Sequence, residues 1–237
     1  MAKSNLRVDW ATHDSAAYAC KKWHYTGTVP VGKLVKIGAW ESEVFIGVVV
    51  FTWGANKDLG KPYGLQLTEC CELVRVALSS HKVQASRILA IALRFLKQSS
   101  PGLRMVISFA DPVQGHHGGI YQATNWIYAG TTEKSYEFRL NGKRLNKRAY
   151  TGHNFGKERQ ELPAGSVRVE LPGKHRYLMP LDCQMKIQVL PLAQPYPKRV
   201  SPERGAGVQP ATGGADPTLT LHPAKAGIDA GEGALDG

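Results

Sequence analysis

A chain of 237 residues, 43% hydrophobic and 21% charged, holds enough apolar material for one sizeable core, which excludes a wholly disordered protein. No apolar run approaches the roughly 18–20 residues that cross a bilayer, and the start MAKSNLRVDWATHD has no signal-like apolar stretch, so a cytoplasmic protein without a membrane partner is expected. The net charge is +11; residues 205–237 hold one base and four acids, a balance of −3, so residues 1–204 carry +14 and favour a polyanionic partner, nucleic acid first. The four cysteines lack C-x-x-C spacing, which argues for reduced thiols and against a cysteine zinc site.

In chain order, Ala16, Ala17, Cys20 and Trp23 share a helical stripe over residues 14–23, with Asp14 as a cap or first-turn acid. The β-branched and aromatic runs at 34–40 (LVKIGAW) and 44–53 (VFIGVVVFTW) predict a strand hairpin, and the second run is apolar enough to sit centrally with both faces covered. A strand at 72–78 (ELVRVAL) alternates Leu73, Arg75 and Ala77 against Val74, Val76 and Leu78. It leads into a helix over 83–97 whose apolar face is Ile88, Leu89, Ala92, Leu93 and Leu96. After the Pro101–Gly102 break come a strand at 104–110 and a helix over 118–128, then weaker strands at 136–140, 166–171 and 186–190. From Pro197 onward the chain is rich in Gly, Pro and Ala and has no aromatic residue, which predicts a disordered tail, 197–237, behind one folded domain, 1–196. This order of elements predicts an α/β or α+β fold, a central mixed sheet flanked by helices.

Four stretches carry candidate chemistry. The turn SSHKVQASR, from strand 72–78 into helix 83–97, leaves backbone N–H groups free at a helix start beside Lys82 and Arg87; it suits a phosphate, although Ser79 and Ser80 equally suit plain caps. The stretch DPVQGHHGGIYQATNW, residues 111–126, puts an acid at the carboxyl end of a strand, where open α/β sheets gather catalytic groups. Asp111, His116 and His117 offer a general base or metal ligands, and Tyr121 a proton donor; the plainer use is a turn opened by Asp111–Pro112. In KWHYTGTVPVGK, residues 22–33, His24 and Tyr25 stand among Lys21, Lys22 and Lys33, a mixture suited to a nucleobase and its phosphates, or, for His24, to a helix end. Finally Lys143, Arg144, Lys147, Arg148, Lys157, Arg159, Arg168, Lys174, His175 and Arg176, interleaved with Tyr150, Phe155 and Tyr177, suit phosphates along DNA.

Taken together, WHYTGTVPVGKLVKIGAWE, FIGVVVF, ELVRVAL followed by SHKVQASRIL, SFADPVQGHHGGIYQATNWIYAGTT, KHRYLMPLD and QPYPKR resemble the Mom family of phage adenine modification proteins, with order and spacing kept over residues 8–199. The resemblance implies a GNAT-like acyltransferase fold in which the first strand-to-helix turn cradles the donor, here through Ser80, His81, Lys82, Ala85, Ser86 and Arg87. That turn has no Gly-x-Gly. Strand 104–110 is then expected to splay from strand 72–78, with Asp111 at the mouth of the cleft and Asn125 and Tyr128 on the following helix, Asn125 also facing the donor.

The implied activity is conversion of adenine in double-stranded DNA to N6-carbamoylmethyladenine in the host cytoplasm, protecting phage DNA from restriction. The implied catalytic residues are Asp111, His24, Tyr25 and Tyr121, with the adenine extruded and stacked on Tyr25 or Trp126. The donor is of acyl type, glycyl-tRNA or an acyl-coenzyme A, so aminoacyl-tRNA joins duplex DNA among the expected partners. The spacing identifies no metal site; His24, His116 and Asp111 are the residues that would hold a metal. Two other classes fit the residues alone: a GNAT-like acyltransferase acting on a protein or small molecule, and a DNA-binding protein without turnover.

Overall fold

The computed structural model describes residues 5–53, 57–151 and 160–198. The predicted tail beyond Lys198, and Phe155, Lys157 and Arg159 of the basic stretch, lie outside the described residues. In chain order, β1 (Leu6–Trp10) and α1 (His13–Trp23) precede the hairpin β2 (Leu34–Glu41) and β3 (Val44–Thr52). Next come β4 (Cys70–Leu78), α2 (Ala85–Ser99), β5 (Met105–Ala110), the one-turn α3 (Gly119–Gln122) and β6 (Ile127–Thr131). An excursion then holds β7 (Ser135–Leu140), β8 (Lys143–Arg144), α4 (Lys147–Tyr150) and β9 (Val167–Leu171), and the chain returns as β10 (His175–Pro180) and α5 (Cys183–Val189).

The main sheet has the order β1-β2-β3-β4-β5-β10-β6; β7, β8 and β9 form a separate three-stranded sheet. Every neighbour in the main sheet is antiparallel except β4 and β5. Parallel neighbours need a crossover, and α2 supplies it. Its apolar stripe, Ile88, Leu89, Ala92, Leu93 and Leu96, packs with Ile37, Val49, Phe51, Leu73 and Val106. On the other face, Ala16, Ala19 and Cys20 of α1 pack with Val48, Val50 and Ala77. With helices on both sides, Val48, Val49, Val50 and Phe51 are all 0% exposed, as the unbroken apolar run required. The β2–β3 hairpin closes through Ser42 and Glu43, both left-handed at φ 51° and 64°, the conformation that matches the twist of a two-residue hairpin.

Three expectations are corrected. The helix over 118–128 is a single turn: Asn125 takes a left-handed φ of 59°, and Ile127 opens β6, so Asn125 lies in a turn and Tyr128 on a strand. The Thr124 hydroxyl bonds the Ile120 carbonyl at 2.8 Å, competing with helix propagation, and the run WIYAGTT has the aromatic and β-branched content of a strand. The stretch 186–190 falls in helix α5 and the turn after it, not in a strand; Asp182 accepts from Met185 N–H at 2.7 Å as its cap, and Met185 and Val189, four apart, are its buried residues. The alternation read for 72–78 is broken by a bulge: Arg75 faces Val50 and Leu73 faces Phe51, leaving Val74 as the extra residue.

The core prediction is direct. Phe51→Ala removes a fully buried ring between two helical layers and should cost about 3–5 kcal/mol in urea unfolding.

Candidate active site

The parallel β4–β5 pairing is short. It runs from Cys70↔Met105 to Leu73↔Ser108 and stops there, while β4 continues to Leu78. The bulge at Val74 sits one residue beyond the last pair, and a bulge bends its strand, so the two strands part at Ser108 and leave a wedge between them. Ser108 is fully buried at the vertex, its Oγ 2.8 Å from the Leu73 carbonyl and 2.8 Å from the Tyr121 hydroxyl. The Leu73 carbonyl can only accept, so it takes the single Ser108 proton, and Tyr121 donates to Ser108. Burial pushes the Tyr121 phenol up to about 12, which keeps it protonated at neutral pH.

Around this wedge the structure gathers residues from distant parts of the chain. His24 caps the carboxyl end of α1 and Tyr25 follows it, their rings 4.5 Å apart. Tyr25, 52% exposed, meets the ring of His116 edge-on at 5.4 Å, which joins the KWHYTG segment to the DPVQGHHGG segment. The Thr26 backbone N–H donates to His24 Nδ1 at 3.2 Å, so that nitrogen is the acceptor and Nε2 carries the proton. Burial, then the Arg75 and His116 charges, pull the His24 imidazole down to about 4; it is neutral at working pH. Burial, then the nearby Asp111 carboxylate, push the Tyr25 phenol up.

The Asp111 carboxylate accepts from Val113 N–H at 3.0 Å, capping the Pro112–Gln114 turn, and lies 3.6 Å from Lys174 Nζ. Asp111 and Tyr121 each lie within electrostatic reach of Tyr25, which packs on His24, so the four residues are neighbours in space. Trp126 does not offer a stacking surface, being 0% exposed.

Glu72 and Arg75 are the additions that sequence reasoning missed. Burial pushes the Glu72 carboxyl up, opposed by the charges of Lys174 and Arg75, and no hydrogen bond or ion pair reaches it among the described residues. Its charge is felt in turn by Tyr121. A half-buried acid without hydrogen bonds is costly unless a site uses it. The signal was present: two opposite charges three residues apart inside an apolar central strand are themselves anomalous.

The residues expected around the donor separate into two places. Ser86, Arg87 and Asn125 line a groove of about 550 Å³ between α2 and the α3–β6 turn, with Arg94 beside them and Ala90, Leu93 and Met179 as apolar wall. Ser80, His81 and Lys82 form the turn before α2, and Ala85 opens the helix. In that turn the Glu41 carboxylate accepts from the N–H groups of Lys82 and Val83, each at 3.0 Å, while His81 Nδ1 bonds the Ser79 carbonyl at 2.6 Å. A diphosphate such as that of coenzyme A needs those same N–H groups, and the Val83 side chain, 6% exposed, fills space a glycine would leave open. The residues present therefore do not fit a diphosphate at Lys82 and Val83. Among the described residues no cluster of three His, Cys, Asp or Glu is placed to hold a metal, and no helix is long and apolar enough to cross a membrane.

The fold is that of a mixed α/β protein with a seven-stranded sheet flanked by helices, whose parallel β4–β5 pair stops at Leu73↔Ser108. The chain belongs to the Mom protein family, which matches residues 5–198. It is 25% identical over 203 residues to the methylcarbamoylase Mom of Escherichia phage Mu, covering 81% of this chain and 84% of that protein. Among solved structures it is similar to a GNAT-family acetyltransferase from Streptococcus pneumoniae (TM-score 0.43, 11% identity, 75% of this chain and 100% of that one). It is also similar to a Bacillus subtilis acetyltransferase in complex with coenzyme A (TM-score 0.42, 11% identity, 76% and 100%).

Arg75 offers a test of the site's electrostatics. Removing a positive neighbour favours the imidazolium, so Arg75→Gln should raise the His24 pKa above about 4 while burial keeps it below the ordinary histidine value. NMR titration of the His24 ring reads this directly, and an unchanged midpoint would place Arg75 away from it.

Proposed function

We propose that this protein modifies adenine in duplex DNA, converting it to N6-carbamoylmethyladenine in the host cytoplasm and so shielding phage DNA from restriction. The reading is supported by the match of residues 5–198 to the Mom family, together with the early end of the β4–β5 pairing at Ser108 and the nearness of His24, His116, Asp111 and Tyr121 to Tyr25.

The adenine 6-amino group is a poor nucleophile because its lone pair is delocalised into the ring, so a base must take its proton as the new bond forms. A glycyl donor, as in glycyl-tRNA, meets the atom count. Acylation joins the glycyl carbonyl to the 6-amino nitrogen and releases the donor's hydroxyl. The glycyl amine then attacks ring carbon 6, the original amino nitrogen leaves that carbon, and the product carries CH₂–CO–NH₂ on the new nitrogen.

In this scheme the extruded base stacks on the exposed Tyr25 ring. Glu72, free of hydrogen bonds, takes the proton. Asp111, fixed by Lys174 and the Val113 N–H, orients the entering amine. Tyr121 keeps its proton and donates a hydrogen bond to Ser108, holding the vertex of the wedge in place.

Nucleoside mass spectrometry of DNA from cells expressing the chain should reveal the modified adenine. Unmodified adenine would leave either transfer to a protein or small molecule, or DNA binding without turnover. With ¹⁵N-glycine supplied, label should appear on the nitrogen bonded to ring carbon 6; label confined to the carboxamide rejects the rearrangement.

Asp111→Asn should retain DNA binding and lose modification by about two orders of magnitude or more. Glu72→Gln should remove the acid limb of the pH–rate profile, which in the wild type lies above the ordinary carboxylate range because a base must be ionised to act. Folding favours protonated Glu72, a contribution present below the unfolded pKa and lost as pH rises through the folded one. The same variant should therefore raise Tm at neutral pH while lowering activity to a measurable residue, a combination expected of a residue retained for chemistry rather than stability.

A further inference from the structure

Between β6 and β10 the chain makes an excursion, residues 132–174, whose two ends meet at a narrow neck. Thr132 N–H donates to the Lys174 carbonyl at 2.9 Å and Lys174 N–H to Thr132 Oγ1 at 2.9 Å. A Cβ on Gly173 would collide with the Thr132 carbonyl, so only glycine allows this approach. The neck stands beside the cleft: Lys174 reaches Asp111, and the next residue, His175, pairs with Ala110 at the end of β5. Beyond it β8, β7 and β9 make their own sheet.

The excursion concentrates charge. It contains ten Lys and Arg against five Glu, so +5 of the chain's +11 lies in this one stretch. Several of these cations are held in place. Lys147 Nζ lies 3.5 Å and the Arg168 guanidinium 4.0 Å from the centre of the Tyr136 ring. Like charges repel, and contact of both with the one Tyr136 ring offsets that repulsion, so the pair is arranged before any anion arrives. Glu137, 5% exposed, braces the β7–β8 hairpin by accepting from Arg139 Nε at 2.6 Å and Arg144 Nε at 3.1 Å. The Arg144 side chain remains 74% exposed, and its charge acts on the Tyr25 phenol, so the basic end of the hairpin borders the cleft. Lys134 and Lys143 are exposed on the same module.

We infer that this three-stranded excursion is a phosphate-gripping arm that holds duplex DNA beside the cleft, its cations neutralising backbone phosphates flanking the adenine to be modified. The assignment rests on duplex DNA being the substrate. Duplex rather than single-stranded DNA fits because single-strand binding relies on open aromatic faces for stacking, whereas Tyr136 is already covered by Lys147 and Arg168. What the arm presents is charge, which positions a duplex without reading its bases.

Binding of the full chain to a fluorescently labelled duplex oligonucleotide, followed by anisotropy across a salt series, tests this without turnover. Two double variants are compared with wild type: Lys147→Gln with Arg168→Gln, and Lys134→Gln with Lys143→Gln, the second at exposed positions where loss of fold is not expected. Each should weaken binding about ten-fold and reduce the slope of log affinity against log salt by about two, with thermal melting unchanged for the second pair. If both variants keep wild-type affinity and slope, the arm is overturned and the DNA reading stands. If the wild type shows no salt-dependent duplex binding, the DNA reading fails and the arm with it. Loss of tRNA binding with duplex binding intact would reassign the arm to the donor and overturn the inference.

Discussion

The parting of two parallel strands at Ser108 is the constraint on which the rest of the molecule depends. A parallel pair inside a sheet normally continues to the strand ends, since each further pair satisfies buried backbone groups. Here the ladder stops at Leu73↔Ser108, the bulge at Val74 turns β4 aside, and the Ser108 hydroxyl supplies a hydrogen bond to the Leu73 carbonyl at the point of divergence. One side chain therefore closes the vertex and, through Tyr121, ties the helical layer to it.

Low dielectric around that opening sorts the ionisable groups. His24 is held neutral with its proton on Nε2, and Tyr121 is held protonated. Burial raises the Glu72 carboxyl above its ordinary value, whereas the Asp111 carboxylate accepts from a backbone N–H and pairs with Lys174, so the two acids have different surroundings. The turn before α2 is different again. Its N–H groups are answered from within by Glu41, so the helix start that looked open in the linear sequence is already occupied by an anion of the protein's own.

Charge around Asp111 is mixed, with Glu72 and Asp111 facing Arg75 and Lys174, while the excursion between β6 and β10, to which Lys174 belongs, holds +5 of the chain's +11. A cationic stretch of this kind attracts polyanions.

Local pattern was sufficient for elements that obey one period. The apolar stripe of α2, the β2–β3 hairpin, the buried run of β3 and the ends of β4 and β5 were legible, because burial on one or both faces imposes a spacing that residues display directly. That Asp111, His24, Tyr25 and Tyr121 lie near one another is a tertiary fact, although each stands at or beside an element end that the sequence marked. The sequence misled where long-range contacts overrode local preference. Residues 118–128 became a turn and a strand because β10, far along the chain, offered a partner for β6, and 186–190 joined a helix whose cap is Asp182. Only tertiary structure could decide that Glu72 is buried within reach of the Lys174 and Arg75 charges, that Glu41 closes the turn before α2, and that the Arg144 charge acts on Tyr25. Each is a through-space encounter between segments remote in sequence, and a linear chain records what its residues prefer locally, not which distant charge will meet them.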